Sequence, residues 1–231
     1  QVLRSKALDY RAYSSVLYRT AVLEHVCQQK TVQVDKDAIT NEVFAPPRHV
    51  DLVPACRVLA SWNGTGRADD GGALLWDAFW NRVLKIPTER RFRVAFDPAM
   101  PLHTPGELNV SDSAVANALG AAVISLDNAR MPLGASIGSQ MAAGGATRRI
   151  PMFGGCATSG YFTIACDDLG KFSLTSPGFL GNSYLQVVSF DANGPRAYTL
   201  MSHGQKERAV AVDKPDSCVV RYAHQEWLRF H

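Results

Sequence analysis

The apolar pattern of this chain changes near residue 145, and that change constrains the fold more than any other feature of the sequence. Before residue 145, apolar residues recur at the three- and four-residue spacing of amphipathic helices. After it, glycines separate short apolar runs that have the composition of strands. Helices first and paired strands later predict an α+β fold, or a piece of a layered sandwich.

Four segments of the first half have helical spacing. The first is Leu8–Val26, and the second is a helix capped by Asp51 with Pro54 in its first turn. The third starts at Asp69 or Asp70 and ends before Pro87. The fourth is capped by Ser111 or Ser113 and is stopped by Pro132. An irregular segment with four prolines, residues 87–106, separates the last two helices. We expect residues 1–145 to be mainly helical and residues 146–231 to be mainly strand.

The second half carries short apolar runs. They are Arg149–Phe153, Tyr161–Ala165, Tyr184–Phe190 and Ala197–Ser202. Tyr184–Phe190 is rich in strand-favouring residues, Asp191–Pro195 has turn composition, and Arg196–Leu200 has the composition of a returning strand. These three segments predict an antiparallel hairpin.

The overall composition excludes several classes of protein. Hydrophobic residues make up 46% of the chain and charged residues 19%, which is typical of a folded chain and not of a disordered one. The net charge is only +3 and no basic run exceeds a pair, so the sequence does not indicate nucleic-acid binding. The longest apolar stretch, Ala114–Leu126, is too short to span a bilayer. The chain opens with Gln1 and lacks a signal-peptide pattern, so we expect a processed product or a trimmed chain.

Three glycine-containing motifs match known site patterns only in outline. Gly134-Ala135-Ser136-Ile137-Gly138 has the letters of the α/β-hydrolase nucleophile elbow, but a helix instead of a strand is predicted before it. Residues 155–160 lack the lysine of a phosphate loop, and residues 64–66 lack the third glycine of a dinucleotide-binding motif. We interpret Ser136 as a loop residue and the other two motifs as turns.

The histidines and cysteines indicate no site by themselves. The cysteines form no C-x-x-C pair and no two histidines lie three to five residues apart, so a structural zinc site is not indicated. His203 follows a predicted strand, where a hydrogen-bonded structural histidine is the simpler interpretation. Cys156 or Cys166 would need an activating group to act as a nucleophile, and none is identifiable. The residues alone therefore indicate no catalytic residue, no metal and no cofactor.

Four longer patterns occur in a fixed order along the chain. They are A-C-x-x-L-x-x-W with G-x-x-L-W-x-x-F-W in residues 55–80, R-x-I-P-x-x-G-G in residues 148–155, G-x-S-Y-x-Q-x-V-x-F in residues 181–190, and a hairpin return over residues 194–205. Together they resemble the C-terminal part of the β chain in the penicillin acylase family of N-terminal-nucleophile hydrolases. The resemblance runs from about Leu8 to Trp227 and is strongest with the acyl-homoserine-lactone and aculeacin acylases. Two departures are Phe153, where many relatives have histidine, and residues 206–208, which replace small polar residues.

The resemblance implies a fold and a mechanism. Members of the family form an αββα sandwich, in which a serine at the N-terminus of the β chain attacks an amide carbonyl and its own α-amino group acts as general base. The matched region lies downstream of the family's nucleophile, histidine and oxyanion asparagine, and Gln1 has neither hydroxyl nor thiol. We therefore expect residues 1–231 to be a C-terminal β-chain segment, not an independent domain, with no catalytic, metal-binding or cofactor-binding residue.

The resemblance also implies an activity and partners. The assembly would be a periplasmic N-acyl amidohydrolase that deacylates N-acyl-homoserine lactones or related fatty-acyl amides, a quorum-quenching reaction, and this chain alone would be inactive. Its partners would be the α chain and the N-terminal part of the β chain of one autoproteolytically processed precursor, together with a small acyl-amide substrate. The resemblance implies neither a nucleic acid partner nor a membrane span. Two alternatives stay open: a β-lactam acylase of the same family, acting in antibiotic catabolism, and an autonomous structural or binding module.

A periplasmic location further implies that some cysteines are oxidised. Cys27 ends the first predicted helix and Cys56 lies early in the second, which suggests one disulfide. Cys156 and Cys166 flank a possible hairpin, which suggests a second and leaves Cys218 free. Loop-closure entropy would contribute roughly 3.6 and 2.8 kcal/mol to stability, respectively. Buried free thiols are the alternative for each pair.

Overall fold

The structure is a computed structural model that describes residues 2–143, 150–168, 180–202 and 217–230. Its helices are α1 (Val2–Ala7), α2 (Tyr13–Ala21), α3 (Val53–Ser61), α4 (Ala73–Val83), α5 (Thr88–Arg91), α6 (Ser113–Asn128), α7 (Ile137–Gln140) and α8 (Cys218–Ala223). Its strands are β1 (Thr31–Lys36), β2 (Val43–Asp51), β3 (Phe92–Val94), β4 (Gly106–Leu108), β5 (Ala142–Ala143), β6 (Ile150–Pro151), β7 (Ala165–Cys166), β8 (Leu180–Gly181), β9 (Tyr184–Asp191), β10 (Gly194–Met201) and β11 (Leu228–Phe230).

The strands form small antiparallel sheets. Among the described residues, four sheets are two-stranded, namely β1–β2, β3–β4, β5–β6 and β7–β8, and a fifth has the strand order β11-β10-β9. Helices combined with antiparallel sheets confirm the α+β fold class. Within the described ranges, no helix has both the length and the apolar character that crossing a bilayer requires.

The core lies around α4 and α6. Helix α4 is buried over almost its whole circumference, including its charged residues Asp77 and Arg82. Helix α6 packs against α4 and against the β1–β2 hairpin. A helix that is buried all round must satisfy its polar side chains from neighbouring segments, because water cannot reach them. The segments that satisfy α4 define the site described below.

The first predicted helix, Leu8–Val26, was wrong in its bounds. Residues 8–12 are not helical, because they pair with the segment around residue 65. The Gly66 N–H donates to the Tyr10 carbonyl at 2.8 Å, and the Ala12 N–H donates to the Gly64 carbonyl at 2.9 Å. Helix α2 therefore begins only at Tyr13 and continues into a π-helical turn, Val22–Val26, and a 3₁₀ turn, Cys27–Gln29.

The predicted helix caps have mixed outcomes. The N-cap of α3 is Leu52, not Asp51, but the carboxylate of Asp51, one residue earlier, accepts a hydrogen bond from the Val53 N–H at 2.9 Å. The cap of α6 is Asp112, not Ser111 or Ser113, and its carboxylate accepts from the Ala114 N–H at 2.9 Å. The cap of α4 is Gly72, not Asp69 or Asp70. Gly72 has a φ of +110°, which disfavours a side chain, and an added Cβ would lie 2.8 Å from the Trp62 Cβ.

The first half also contains a long hairpin, β1–β2, that the helical interpretation of residues 1–145 omitted. Its strands have few buried apolar residues, among them Val34, Phe44 and Val50. Two adjacent prolines, Pro46 and Pro47, interrupt the alternation within β2. Because proline is uncommon in strands and alternation is the main strand signal, the sequence pattern concealed this hairpin.

The β9–β10 hairpin is confirmed. Asp191 pairs with Gly194 across a tight turn, within the predicted turn segment Asp191–Pro195. The sheet that these strands form with β11 leaves one face uncovered by described residues. That open sheet face carries large apolar side chains that are exposed, namely Tyr184, Val188, Phe190, Leu228 and Phe230. On the opposite face Leu185 and Leu200 are buried.

Both predicted disulfides are present. Cys27–Cys56 joins the end of the α2 region to α3, with the two Cα atoms 5.7 Å apart. Cys156–Cys166 closes a short loop, with a Cα–Cα distance of 4.7 Å. Cys218 has a free thiol, as predicted.

Candidate functional site

Three polar side chains of α4, those of Asp77, Trp80 and Asn81, converge on one segment, residues 154–166, which we name the α4 loop. The Trp80 indole N–H donates to the Thr158 carbonyl at 2.9 Å, and the Thr158 hydroxyl donates to the Asn81 side-chain oxygen at 2.6 Å. The Cys156 backbone N–H donates to the Asp77 carboxyl at 3.0 Å. One face of α4 thus fixes the start of the α4 loop through both side-chain and backbone atoms.

A second layer of hydrogen bonds joins α2 to the same place. The Trp76 indole N–H donates to the Ser14 hydroxyl at 2.9 Å, and that hydroxyl donates to the Ser159 carbonyl at 2.9 Å. Trp76 and Ser159 are completely buried and Ser14 is nearly so. Buried polar atoms that are paired in this way rigidify a core, so α2, α4 and the α4 loop form one unit.

Asp77 is the most perturbed carboxyl group in this unit. Burial raises its pKa to about 7, and hydrogen bonding from the Ser159 side chain and the Cys156 backbone opposes that rise. The Ser159 Oγ and the Asp77 Oδ1 nonetheless lack a hydrogen bond of normal geometry among the described residues. A buried carboxyl with so little solvation favours its neutral form near neutral pH.

Tyr161 closes the unit from the other side. Its ring packs against the backbone of Gly155, where an added Cβ would lie 2.1 Å from the Tyr161 Cε2. Burial raises the pKa of Tyr161 well above its ordinary value, and the negative charges of Asp77 and Asp70 add to that effect. The close approach explains why residue 155 is glycine, because any side chain there would displace the tyrosine ring.

An open cleft of about 620 Å³ lies beside Asp77. The buried Asp37–Arg82 ion pair, the Cys156–Cys166 disulfide, Thr158 and Asp167 contribute to its walls. A carboxyl with a pKa near 7 suits acid–base chemistry, but here the hydrogen bond from Cys156 and the deep burial of Asp77 indicate a structural role. Within the described ranges, no cluster of three or more histidine, cysteine or acidic side chains has the arrangement of a metal site.

Ser136 lies outside this unit and acts as a helix cap. Its hydroxyl accepts from the Ser139 N–H at 3.2 Å at the start of the short helix α7. Its hydrogen-bond partners in the described part of the chain include no histidine. The local structure is that of a capped turn, so the interpretation of Ser136 as a loop residue instead of a nucleophile elbow agrees with the geometry.

The structure also places most of the other candidate residues named from the sequence. Cys156 and Cys166 are joined in a disulfide, so neither is available as a nucleophile. Thr65, in the turn of residues 64–66, bridges to Arg11 and accepts the Trp62 indole N–H on its carbonyl at 2.7 Å. His203 lies outside the described residues.

The sequence analysis did not single out Asp77, although the family patterns include its neighbours Trp76 and Trp80. The signal that could have found Asp77 is a single acidic residue within the run Ala73–Trp80, which is otherwise apolar. Buried acidic residues are uncommon unless they are partnered, so an acidic residue in such a run predicts a hydrogen-bond donor from another segment. The donor, Cys156, lies 79 residues away in the chain, and no spacing rule reaches that far.

Sequence comparison places the chain in a family. A sequence model described as penicillin amidase matches residues 15–230. The chain belongs to the penicillin amidase family. This result confirms the resemblance drawn from the four sequence patterns.

Individual relatives are acyl-homoserine lactone acylases by name. The chain is 31% identical over 185 residues to the acyl-homoserine lactone acylase PvdQ of Pseudomonas syringae pv. syringae, a match that covers 76% of this chain and 23% of that protein. It is 33% identical over 174 residues to PvdQ of Pseudomonas syringae pv. tomato, covering 71% and 22%, respectively. The matched region therefore spans less than a quarter of the length of these relatives.

The family patterns coincide with the unit built on α4. The L-W-x-x-F-W pattern supplies Trp76, Phe79 and Trp80 of α4, and the R-x-I-P-x-x-G-G pattern ends in Gly155 at the start of the α4 loop. Phe153, which departs from many family members, stacks on Tyr222 with ring centroids 4.8 Å apart. Its position is therefore one of apolar packing.

The pKa of Asp77 leads to a testable pH dependence of stability. Because burial raises that pKa from 3.8 to about 7, the folded state holds a proton that the unfolded state has lost between these values. The free energy of unfolding should therefore fall as the pH rises from about 4 to about 7, by at most roughly 4 kcal/mol, and this contribution should be constant above pH 7. Asp77→Asn should remove it.

The measurement is urea unfolding across this pH range, followed by the fluorescence of the four tryptophans. Asp69→Asn is the matched control, because the Asp69 side chain is 81% exposed. The control should keep the pH dependence of the wild-type chain. If Asp77→Asn keeps it as well, the buried carboxyl is not its source.

Proposed function

We propose that this chain is a non-catalytic segment of an amidohydrolase that deacylates N-acyl-homoserine lactones or related fatty-acyl amides. The observation that carries the proposal is the match to acyl-homoserine lactone acylases over 71–76% of this chain. The chain spans only 22–23% of those proteins, so a complete site would require further polypeptide. The contacts of α4 and the α4 loop support a structural contribution from this segment.

In the proposed mechanism, a serine at the N-terminus of another chain attacks the amide carbonyl. Its own α-amino group takes the hydroxyl proton, and a backbone N–H with an asparagine side chain stabilises the oxyanion. The amide C–N bond then breaks, and the amine leaves with the proton that the α-amino group had taken, so that the acyl group stays on the serine oxygen as an ester. Water hydrolyses this ester, which releases the fatty acid and restores the serine hydroxyl. This chain would contribute the rigid unit of α2, α4 and the α4 loop as part of the scaffold around that site.

The open sheet face supports the proposed αββα sandwich. On this face Phe190 is 81% and Phe230 is 62% exposed, and a sheet face with such large apolar side chains is normally covered by a second layer. In the proposal, a second sheet from the rest of the precursor covers it. Residues 1–231 would then be part of a domain and not an independent one.

The two disulfides support a periplasmic location. Disulfides persist in oxidising compartments, and the bacterial periplasm is one. Cys27–Cys56 and Cys156–Cys166 each connect segments of the core region, so an oxidising compartment would favour correct folding. The proposed partners are the α chain and the N-terminal part of the β chain from one processed precursor.

The function is tested by assaying fatty-acid release from an N-acyl-homoserine lactone. We expect the assembly of this chain with the rest of its precursor to release the fatty acid, and the isolated chain to release none. Penicillin G is the second substrate in the assay. Preference for penicillin would favour a β-lactam acylase, and an inactive assembly combined with a stable, monomeric isolated chain would favour an autonomous module.

A further inference from the structure

Helix α2 has an inverted polarity. The side chains that it buries include Ser14 and Ser15, which are 6% and 4% exposed. The side chains that it exposes include Tyr13, Val16 and Leu17, which are 57%, 55% and 54% exposed. An amphipathic helix at a protein surface normally shows the opposite arrangement. We name the surface formed by Tyr13, Val16 and Leu17 the α2 ridge.

The α2 ridge is a continuous surface on one side of the helix. Its residues are spaced i, i+3 and i+4, so their side chains are neighbours on the helix. The α4 loop adjoins its first residue, since a Cβ added at Gly160 would lie 2.8 Å from the Tyr13 Cβ. Two residues further along the loop, Phe162 is 59% exposed. No described residue covers these side chains.

The helix cannot turn the ridge inward, because its buried side is fixed by specific contacts. Ser14 accepts from the Trp76 indole and donates to the Ser159 carbonyl, both at 2.9 Å. Tyr18 stacks on Trp80 with ring centroids 5.3 Å apart. Rotation of α2 would break these contacts and leave buried polar groups unpaired. The outward position of the ridge is therefore built into the fold.

The comparison with relatives indicates what covers the ridge. Val16 and Leu17 lie within residues 15–230, which the penicillin amidase family model matches, and Tyr13 lies two residues before that match. More than three quarters of the length of these relatives lies outside their match to this chain and is missing from that match. We propose that the α2 ridge docks on that missing part of the acylase polypeptide. The inference rests on the proposed function, and it assigns one surface of this chain to the assembly.

The test compares two matched pairs of substitutions. Val16→Glu with Leu17→Glu places two charges on the ridge. Val43→Glu with Leu102→Glu makes the same two changes at sites that are 68% and 91% exposed and lie outside the ridge. Each variant chain is produced together with the remaining part of its precursor, and the amount of that part that co-purifies is measured.

We expect the ridge pair to lower the co-purified amount at least about tenfold, because each buried aliphatic side chain contributes strongly to association. The control pair should change it by less than about twofold. The yield of soluble variant chain from the co-production should be the same for both pairs. Equal assembly of the ridge pair and the wild type would overturn the proposal. So would an equal loss with both pairs, or a selective loss of soluble chain with the ridge pair.

The inference and the proposed function fail in different ways. If the wild-type assembly forms through the ridge but releases no fatty acid, the proposed activity fails and the docking surface stands. If the wild-type assembly is active and the ridge variants assemble and act normally, the docking surface fails and the activity stands.

Discussion

Replacing Arg82 by methionine while Asp37 remains should lower the free energy of unfolding by about 3–5 kcal/mol. Both side chains are 5% exposed. The guanidinium donates to both carboxylate oxygens of Asp37, from Nε at 3.1 Å and from Nη2 at 2.6 Å, and Nη1 donates to the Ala78 carbonyl at 2.8 Å. Methionine fills much of the space but leaves a buried carboxylate without its counter-ion.

The pair holds the β1–β2 hairpin against α4, so its loss should also loosen that hairpin. Arg196→Met is the control, because the Arg196–Asp191 pair is exposed and its loss should cost less than about 1 kcal/mol. The double variant Arg82→Met with Asp37→Leu should recover much of the lost stability. Urea unfolding followed by tryptophan fluorescence measures all three. Similar losses for Arg82→Met and Arg196→Met would show that burial of the Arg82 pair has no energetic consequence.

Replacing the N-terminal serine of the proposed partner chain by alanine should lower turnover by at least about 10³-fold. The substitution removes the attacking hydroxyl and leaves an α-amino group with no proton to accept. Ser136→Ala in this chain should change turnover by less than about twofold, because the Ser136 hydroxyl caps helix α7. Loss of that cap should cost about 1 kcal/mol of stability.

Both variants are assayed as assembled particles with an N-acyl-homoserine lactone, at equal concentrations of folded enzyme. One combination of results would contradict the assignment of the nucleophile to the partner chain. An assembly that loses activity on Ser136→Ala while remaining folded, and keeps it when the partner's serine is replaced, would place the nucleophile in this chain and reinstate the elbow interpretation.

The sequence predicted those elements whose signal is local. The β9–β10 hairpin has strand composition on both sides of an Asp-Ala-Asn-Gly turn, and α4 has a dense apolar run before Pro87. The start of α2 and the β1–β2 hairpin were not predictable in this way. Residues 10–12 pair with residues 64–66, and this long-range pairing overrides the helical spacing.

In the candidate site, too, the sequence predicted the residues with a local signal and not the contacts between distant segments. The family patterns pointed to Trp76, Trp80 and Gly155, since all three lie in recognisable strings. They did not show that the Asp77 carboxyl accepts a hydrogen bond from the Cys156 N–H, because that contact depends on how the α4 loop packs against α4. A buried carboxyl acquires its pKa from tertiary surroundings, which no spacing along the chain encodes.

The most direct test of the proposed role is intact-mass analysis of the native particle that contains this chain, combined with N-terminal sequencing of every chain present. The account predicts that at least one further chain co-purifies and that one of them begins with serine. A native particle that contains only this chain, and that hydrolyses an N-acyl-homoserine lactone, would contradict it.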